Sequence, residues 1–276
     1  MQTSSGATLV LERLERKGSV FATKRQNFNE SDLVLLNNDL SNGIPAELEG
    51  IAHDVTPSPH MGWFQRKKSS HLKFYCELAH EFAEMIGIDP FQITARFSEV
   101  DDIDFESGKG MDMLAREVDK LLVQIRKDYE ERNIGIDPFV YVKHNSGTYG
   151  RAIMPVKSGA EVLEMNRREK NKMNVSKGGV HVNSVLLMEG IPTDISHEQQ
   201  SAEPVIYLVG HQSVGGFLRL NPNKDNRGNL NAPGAHFKTL CFANLFRNPN
   251  PQSIVLEKFY GALGRLSSLA NAREMQ

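Results

Sequence analysis

Between Leu72 and Ile86, apolar residues return every third or fourth position. Leu72, Tyr75, Ala79, Phe82, Ala83 and Ile86 share one face, and Gly87 follows as a stop. The same spacing runs from about Met111 to Arg132 through Leu114, Val118, Leu121, Leu122, Ile125 and Tyr129. Both stretches predict amphipathic helices. "TLVLERLERKG" (residues 8–18) predicts a shorter helix ending at Gly18. Ser158 and Glu161 have capping-box spacing and predict a helix running to about Met173, and a last helix starts after Pro251. Shorter apolar runs read as strands: "DLVLL" (32–36, buried), "PFVYVK" (138–143), "SVLLMEG" (184–190), "PVIYLVG" (204–210) and "QSVGGFLRLN" (212–221), the last two linked as a hairpin through Gly210. "HDVTPSPHMGWFQRKKSS" (53–70) has little periodicity and reads as a long loop. Helices and strands alternate, which predicts an α/β or α+β fold.

Composition narrows this picture. The chain has 276 residues, 39% hydrophobic and 24% charged, with a formal net charge of -2. That balance argues against nucleic acid as the main partner, since phosphate binding needs a cationic face. Cys76 and Cys241 are the only cysteines and form no CxxC pair, so neither a zinc site nor a disulfide framework is expected. A reduced, cytoplasmic protein is the simplest reading. The N-terminus lacks a secretory pattern, and no run of about 18 apolar residues predicts a membrane span. The histidines show no ligand spacing, and His53 and His60 read as incidental.

Candidate chemistry centres on "VKHNSGTYGRAIM" (142–154). A strand ends on Lys143 and a glycine loop follows. Backbone N–H groups of Ser146, Gly147, Thr148, Tyr149 and Gly150 could approach phosphate oxygens, with hydroxyls from Ser146 and Thr148 and a charge from Lys143. By itself this loop is equally an ordinary polar turn. "SGKGMD" (107–112) lacks the earlier glycine and the following Ser or Thr of a Walker loop, and no GxGxxG follows a strand. Downstream, "EGIP" offers Glu189 and the Ile191 backbone to an adenine or ribose. Arg219 suits a phosphoryl group, and Glu203, Asn229 and Asn231 are oxygen donors acceptable to Mg²⁺. Each also reads as a surface or loop residue.

The ordered set "LLNNDLSNGIPAELEGI", "GWFQRKKSSH", "GIDPF", "PFVYVKHNSGTYGRAIM", "NRREKNKM", "EGIPT", "AEPVIYLV", "VGGFLRLN", "NLNAPGAHF" and "YGALGRLSSLA" resembles the bacterial glutamate–cysteine ligases of the GshA type, which look ATP-grasp-like. Family members carry a longer N-terminal part. Their loop has an acidic residue and a final glycine where this chain has Asn145 and Ala152, and a histidine follows their arginine strand where Leu220-Asn221 stands here. The resemblance implies an ATP-grasp-like α/β (α+β) fold. Mixed sheets would hold a nucleotide site between two subdomains, 1–135 on the substrate side and 136–276 on the nucleotide side. It implies ATP and Mg²⁺ as cofactors, glutamate and cysteine as substrates, and catalysis by Lys143 and Arg219. It also gives substrate-recognition roles to Asn37, Asn38, Asp39 and Ser41, and to Arg66 and Lys67. A nucleotide-binding relative without ligase turnover is the alternative.

Overall fold

The computed structural model describes residues 2, 6–8, 10–147, 150, 152–174, 182–240 and 251–275, with side chains in the last helix from residue 258 on. Two compact units emerge, Met1–Arg66 and Lys67–Gln276.

In the first unit β1 (Glu15–Lys17) and β2 (Val20–Ala22) form an antiparallel hairpin, and β3 (Val34–Leu35) pairs in parallel with β4 (Val55–Thr56). Of the stretch 8–18 expected as a helix, Glu15–Lys17 form a hairpin arm instead, and 10–14 form no regular element. The apolar residues Val10, Leu11 and Leu14 are exposed, and a short helix with no surface to bury against is marginal in water. Arg16 fixes the arm instead. Its guanidinium donates to the carbonyls of Gly18, Ala46 and Glu49. Gly18, at φ +66°, closes a turn rather than a helix. The expected buried strand 32–36 is also corrected. Only Val34 and Leu35 pair, and Leu35 is 75% exposed. His53, read as incidental, is a core residue. Its Nε2 accepts the Phe21 N–H at 2.8 Å, its Nδ1 lies 3.0 Å from the Asp32 carbonyl, and its ring stacks on Phe21. The loop expected over 53–70 holds β4 and a 3-10 turn, Pro59–Met61, capped by Ser58, before a helix begins.

In the second unit α1 (Lys68–Ile86) and α2 (Met111–Glu131) match the expected amphipathic helices. Gly87 ends α1 in the left-handed conformation. A four-stranded antiparallel sheet runs in the order β5 (Phe97–Asp101), β8 (Ser184–Glu189), β6 (Val140–His144), β7 (Ile153–Val156). The apolar stripe of α2 packs on Val140, Val142, Val185 and Leu187, which point to one face because strand side chains alternate. Tyr141, Lys143, Leu186 and Met188 therefore point to the other. The helix expected from Ser158 to Met173 is two helices, α3 (Gly159–Leu163) and α4 (Arg167–Asn174). The break comes from a second, reciprocal capping box. Asn166 Oδ1 accepts the Glu169 N–H at 3.0 Å, and Glu169 returns a carboxylate to the Asn166 N–H at 2.9 Å.

A second antiparallel sheet runs β12 (His236–Leu240), β11 (Gln212–Leu220), β10 (Gln200–Val209), β9 (Ser196–His197). The hairpin through Gly210 is as expected. The last helix, α5 (Pro251–Glu274), covers the Leu208 side of this sheet and packs Leu263 and Leu266 against α1. This is a mixed α/β fold with several sheets. No helix is long and apolar enough to cross a membrane among the described residues.

Candidate functional site

Lys143 is the penultimate residue of β6, on the sheet face opposite α2. Its Nζ lies 3.3 Å from Met188 Sδ and 5.0 Å from the centre of the Tyr141 ring. Burial pushes its pKa down, and the Glu203 carboxylate pushes it partly back up. Glu203 and Arg219 sit opposite each other on β10 and β11 and form an ion pair, Nη1 to Oε1, at 2.7 Å. Arg219 Nε is buried and has no hydrogen-bond partner among the described residues. Lys143 from one sheet and the Glu203–Arg219 pair from the other thus share one electrostatic neighbourhood.

The loop after β11 closes over this place. Tyr141 Oη donates to the Arg227 carbonyl at 2.8 Å. Asn229 Nδ2 donates to the Gly150 carbonyl at 2.9 Å, and its Oδ1 accepts the Asn231 N–H at 3.0 Å. Gly150 has φ +66°, and a Cβ there would lie 2.0 Å from the Asn231 carbonyl oxygen. Glycine at this point is therefore demanded by the approach of two loops. Asn221, fully buried, organises the same loop. Its amide faces the carbonyls of Leu230, Ala232 and Pro233, and its oxygen accepts the Asn223 N–H.

The glycine loop is anchored from beneath. Lys68, the first residue of α1, points its ammonium at the carbonyls of His144 (2.9 Å), Asn145 (3.3 Å) and Gly147. Asn145 is fully buried. Its carbonyl and side-chain oxygens accept the N–H groups of Lys68 and Ser69, capping α1 from another element. Its Nδ2 faces Glu99 Oε1 at 2.9 Å, Ser69 Oγ at 3.0 Å and Ser184 Oγ at 3.1 Å. Gly147 folds against His144, where a Cβ would meet the His144 Cβ at 2.8 Å. Burial and the Lys68 charge push the His144 pKa down to about 4. Ala152, in place of the family's glycine, keeps a left-handed φ of +50°.

The other expected site residues are placed as follows. Ser146 is half-buried on the anchored turn, and Thr148 and Tyr149 lie outside the described residues. Glu189, 3% exposed, points to the α2 face, away from Lys143, and its Oε2 accepts the Arg96 N–H at 2.9 Å. It lines a cavity of about 510 Å³ beside β5, where Arg96 pairs with Asp128 and Arg132 with Asp89. Ile191 is exposed just beyond the strand, and the intervening Gly190 lies against the Phe139 ring. Lys67 is bound to Glu99 at 2.6 Å, and that hydrogen bond raises its pKa. In the first unit Arg66 stacks on Trp63 at 5.2 Å. Asn38 and Asp39 accept the N–H groups of Leu40 and Ser41, forming local Asx turns. Asn37 is exposed, and Ser41 Oγ is buried without a partner among the described residues.

The structure thus brings Lys143 near the Glu203–Arg219 pair, and Gly150 against Asn229 and Asn231. Sequence reasoning missed Tyr141, Lys68, Glu99 and Asn221. Alternation along β6 puts Tyr141 on the Lys143 face and could have found it. Lys68 and Glu99 act through partners far away in sequence, and Asn221 through the carbonyls of the loop that follows it.

Comparison with known proteins shows the family of the chain. The profile of the GshA glutamate-cysteine ligase family matches residues 1–275. A solved protein from Methylobacillus flagellatus KT, which carries the provisional name gamma-glutamylcysteine synthetase, is 38% identical and superposes with a TM-score of 0.84. The similarity covers 100% of this chain and 66% of that one, so the chain spans about two thirds of that protein's length. No curated protein matches. With nearly every residue matched by the family profile, this chain belongs to the GshA glutamate–cysteine ligase family.

Proposed function

We propose that this chain uses ATP to join the γ-carboxylate of glutamate to the amine of cysteine, on an ATP-grasp-like frame with the nucleotide between the two sheets of the second unit. The observation that carries the reading is the convergence of Lys143 with Arg219, whose buried Nε has no partner among the described residues. A half-buried, half-neutralised cationic pair of this kind suits the oxygens of a phosphate chain.

In this reading a γ-carboxylate oxygen attacks the γ-phosphorus of ATP, the bond to ADP breaks, and an acyl phosphate forms. The cysteine nitrogen then attacks the acyl carbon, and phosphate and a proton leave. A carboxylate is already a nucleophile, so the protein's share is positioning and charge neutralisation. Lys143 and the Ser146–Gly150 loop would hold the phosphates, and Arg219 would face the transferring phosphoryl group. Ile191 stays a candidate for the adenine through its backbone, whereas the Glu189 carboxylate is committed to the Arg96 N–H. The amino-acid substrates would be met by Asn37, Asn38, Asp39, Ser41, Arg66 and Lys67. Of the oxygen donors considered for Mg²⁺, Glu203 Oε1 binds Arg219 and Asn229 Oδ1 accepts the Asn231 N–H, so Glu203 Oε2 and Asn231 Oδ1 are the atoms that would hold the ion, which would neutralise phosphate charge there. No step is assigned to a protein-held metal.

The test is ADP release from ATP, glutamate and cysteine in a magnesium buffer. No release above background sinks the ligase reading. A second reading, nucleotide binding without turnover, is favoured by one observation: the residue at the family's acidic loop position is Asn145, whose side chain is taken by Ser69, Glu99 and Ser184. Calorimetric ATP binding without product would support it. Full ATP affinity in Lys143→Ala would count against both.

A further inference from the structure

We infer that Lys68 is a positioning residue that presents the Ser146 N–H of the turn to phosphate, an inference that rests on the nucleotide reading above. Its ammonium gathers three carbonyls of the turn, those of His144, Asn145 and Gly147, and its own backbone N–H donates to the Asn145 carbonyl at 2.9 Å. In a trans peptide the C=O and N–H point in opposite directions. Drawing the Asn145 carbonyl down onto α1 therefore turns the Ser146 N–H the other way. Among the described residues that N–H meets no acceptor, whereas the Asn145 N–H is taken by Ser184 and the Gly147 N–H by His144.

The electrostatics make the same demand. A phosphate loop works only if its donors face the anion and its carbonyls face elsewhere. Three carbonyl oxygens on one side of a turn repel one another and would repel an incoming phosphate. A lysine beneath them gives those oxygens a cation to face. The anchoring point is stiff, because Lys68 and Ser69 begin α1 and Asn145 caps that helix through both its oxygens. Gly147 permits the arrangement by folding flat against His144. Lys68 touches no reacting atom in this scheme. It acts through the loop.

The experiment compares Lys68→Met, Lys68→Arg and Lys73→Met with the wild-type chain. Lys73 is exposed on α1 and controls for the loss of a charge. Calorimetry reads ATP and adenosine affinity, and hydrogen exchange reads the amides of residues 145–147 without nucleotide. Expected in Lys68→Met is a roughly tenfold or greater loss of ATP affinity with adenosine affinity kept, and faster exchange at the turn. Lys68→Arg should recover most of the ATP affinity, and Lys73→Met should match wild type. Unchanged ATP affinity in Lys68→Met, or equal losses for ATP and adenosine, overturns the inference. Unchanged exchange shows that the anchor itself is wrong. If wild type binds no ATP while the exchange change is seen, the nucleotide reading has failed and the presentation role falls with it.

Discussion

Replacing Asn145 by Asp would restore the acidic residue of the family's loop, and the surroundings here should reject it. The amide nitrogen lies 2.9 Å from Glu99 Oε1 at a fully buried position. A carboxylate oxygen in its place faces another carboxylate at that distance. With an effective dielectric of about 20, the repulsion is about 6 kcal/mol. Protonating the new carboxyl is cheaper. From an ordinary aspartate pKa of about 3.9, it costs about 4 kcal/mol at pH 7 and about 1.5 kcal/mol at pH 5. Lys67, bound to the same Glu99, offsets part of this. The sign follows from linkage. The new group's pKa is raised by folding, so the folded chain keeps a proton that the unfolded chain releases, and the penalty grows as pH rises above the unfolded value. Urea unfolding of Asn145→Asp should show a loss of about 2–4 kcal/mol against wild type at pH 7 and about 1 kcal/mol at pH 5. Adding Glu99→Gln should restore most of it. An equal penalty at both pH values, or no rescue by Glu99→Gln, would refute the reasoning.

Ala152→Gly should stabilise the chain by about 1 kcal/mol in thermal or urea unfolding, because it relieves a left-handed alanine at φ +50°. Gly190→Ala should cost roughly 1–3 kcal/mol by the same assays, since its Cβ would lie 2.2 Å from the Phe139 ring. His144, with a pKa lowered to about 4, is neutral when folded and takes up a proton on unfolding below about pH 6.5. Its contribution to stability is therefore lost as pH falls from about 6.5 to 4, and His144→Phe should flatten that part of the acid-unfolding profile. Glu203→Gln separates two roles. If Glu203 aims Arg219, ATP affinity falls and its dependence on magnesium concentration is unchanged; if Glu203 holds the metal, the magnesium dependence itself shifts.

The parts of the fold legible in the sequence are those whose stabilising partners lie close along the chain. α1 and α2 carry an unbroken helical period over many turns, and Gly87 can be read as a stop from its own backbone freedom. Val10, Leu11 and Leu14 have the same local period but stay exposed, and Arg16 finds the Ala46 and Glu49 carbonyls 30 and 33 positions later. The split between α3 and α4 was legible in principle, since Asn166 and Glu169 repeat the spacing that marked Ser158 and Glu161. The site divides in the same way. Lys143 and the glycines stand in one short stretch. The groups that hold that stretch in shape, Lys68 and Glu99, become its neighbours only when α1 and β5 fold against it. Glu189 misled for a simpler reason. Strand alternation sends its side chain to the face opposite Lys143, although the two strands are adjacent.

The Glu203–Arg219 pair looks at first like a neutralised charge with little left for a ligand. An arginine, however, has five N–H donors in a rigid fork, and the pair uses Nη1 alone. The buried Nε–H is left with no acceptor among the described residues, at a place where an unmet donor costs about 1–3 kcal/mol. The carboxylate therefore fixes where the fork points without occupying the edge that contains Nε. Lys143 is half-buried beside Tyr141 and Met188 on the facing sheet and feels the same carboxylate. An anion entering between them would satisfy a donor that is already desolvated and already aimed, so it would spend little on ordering the protein. Under the proposed function this is what phosphoryl transfer asks of its cations: a fixed geometry before the charge arrives.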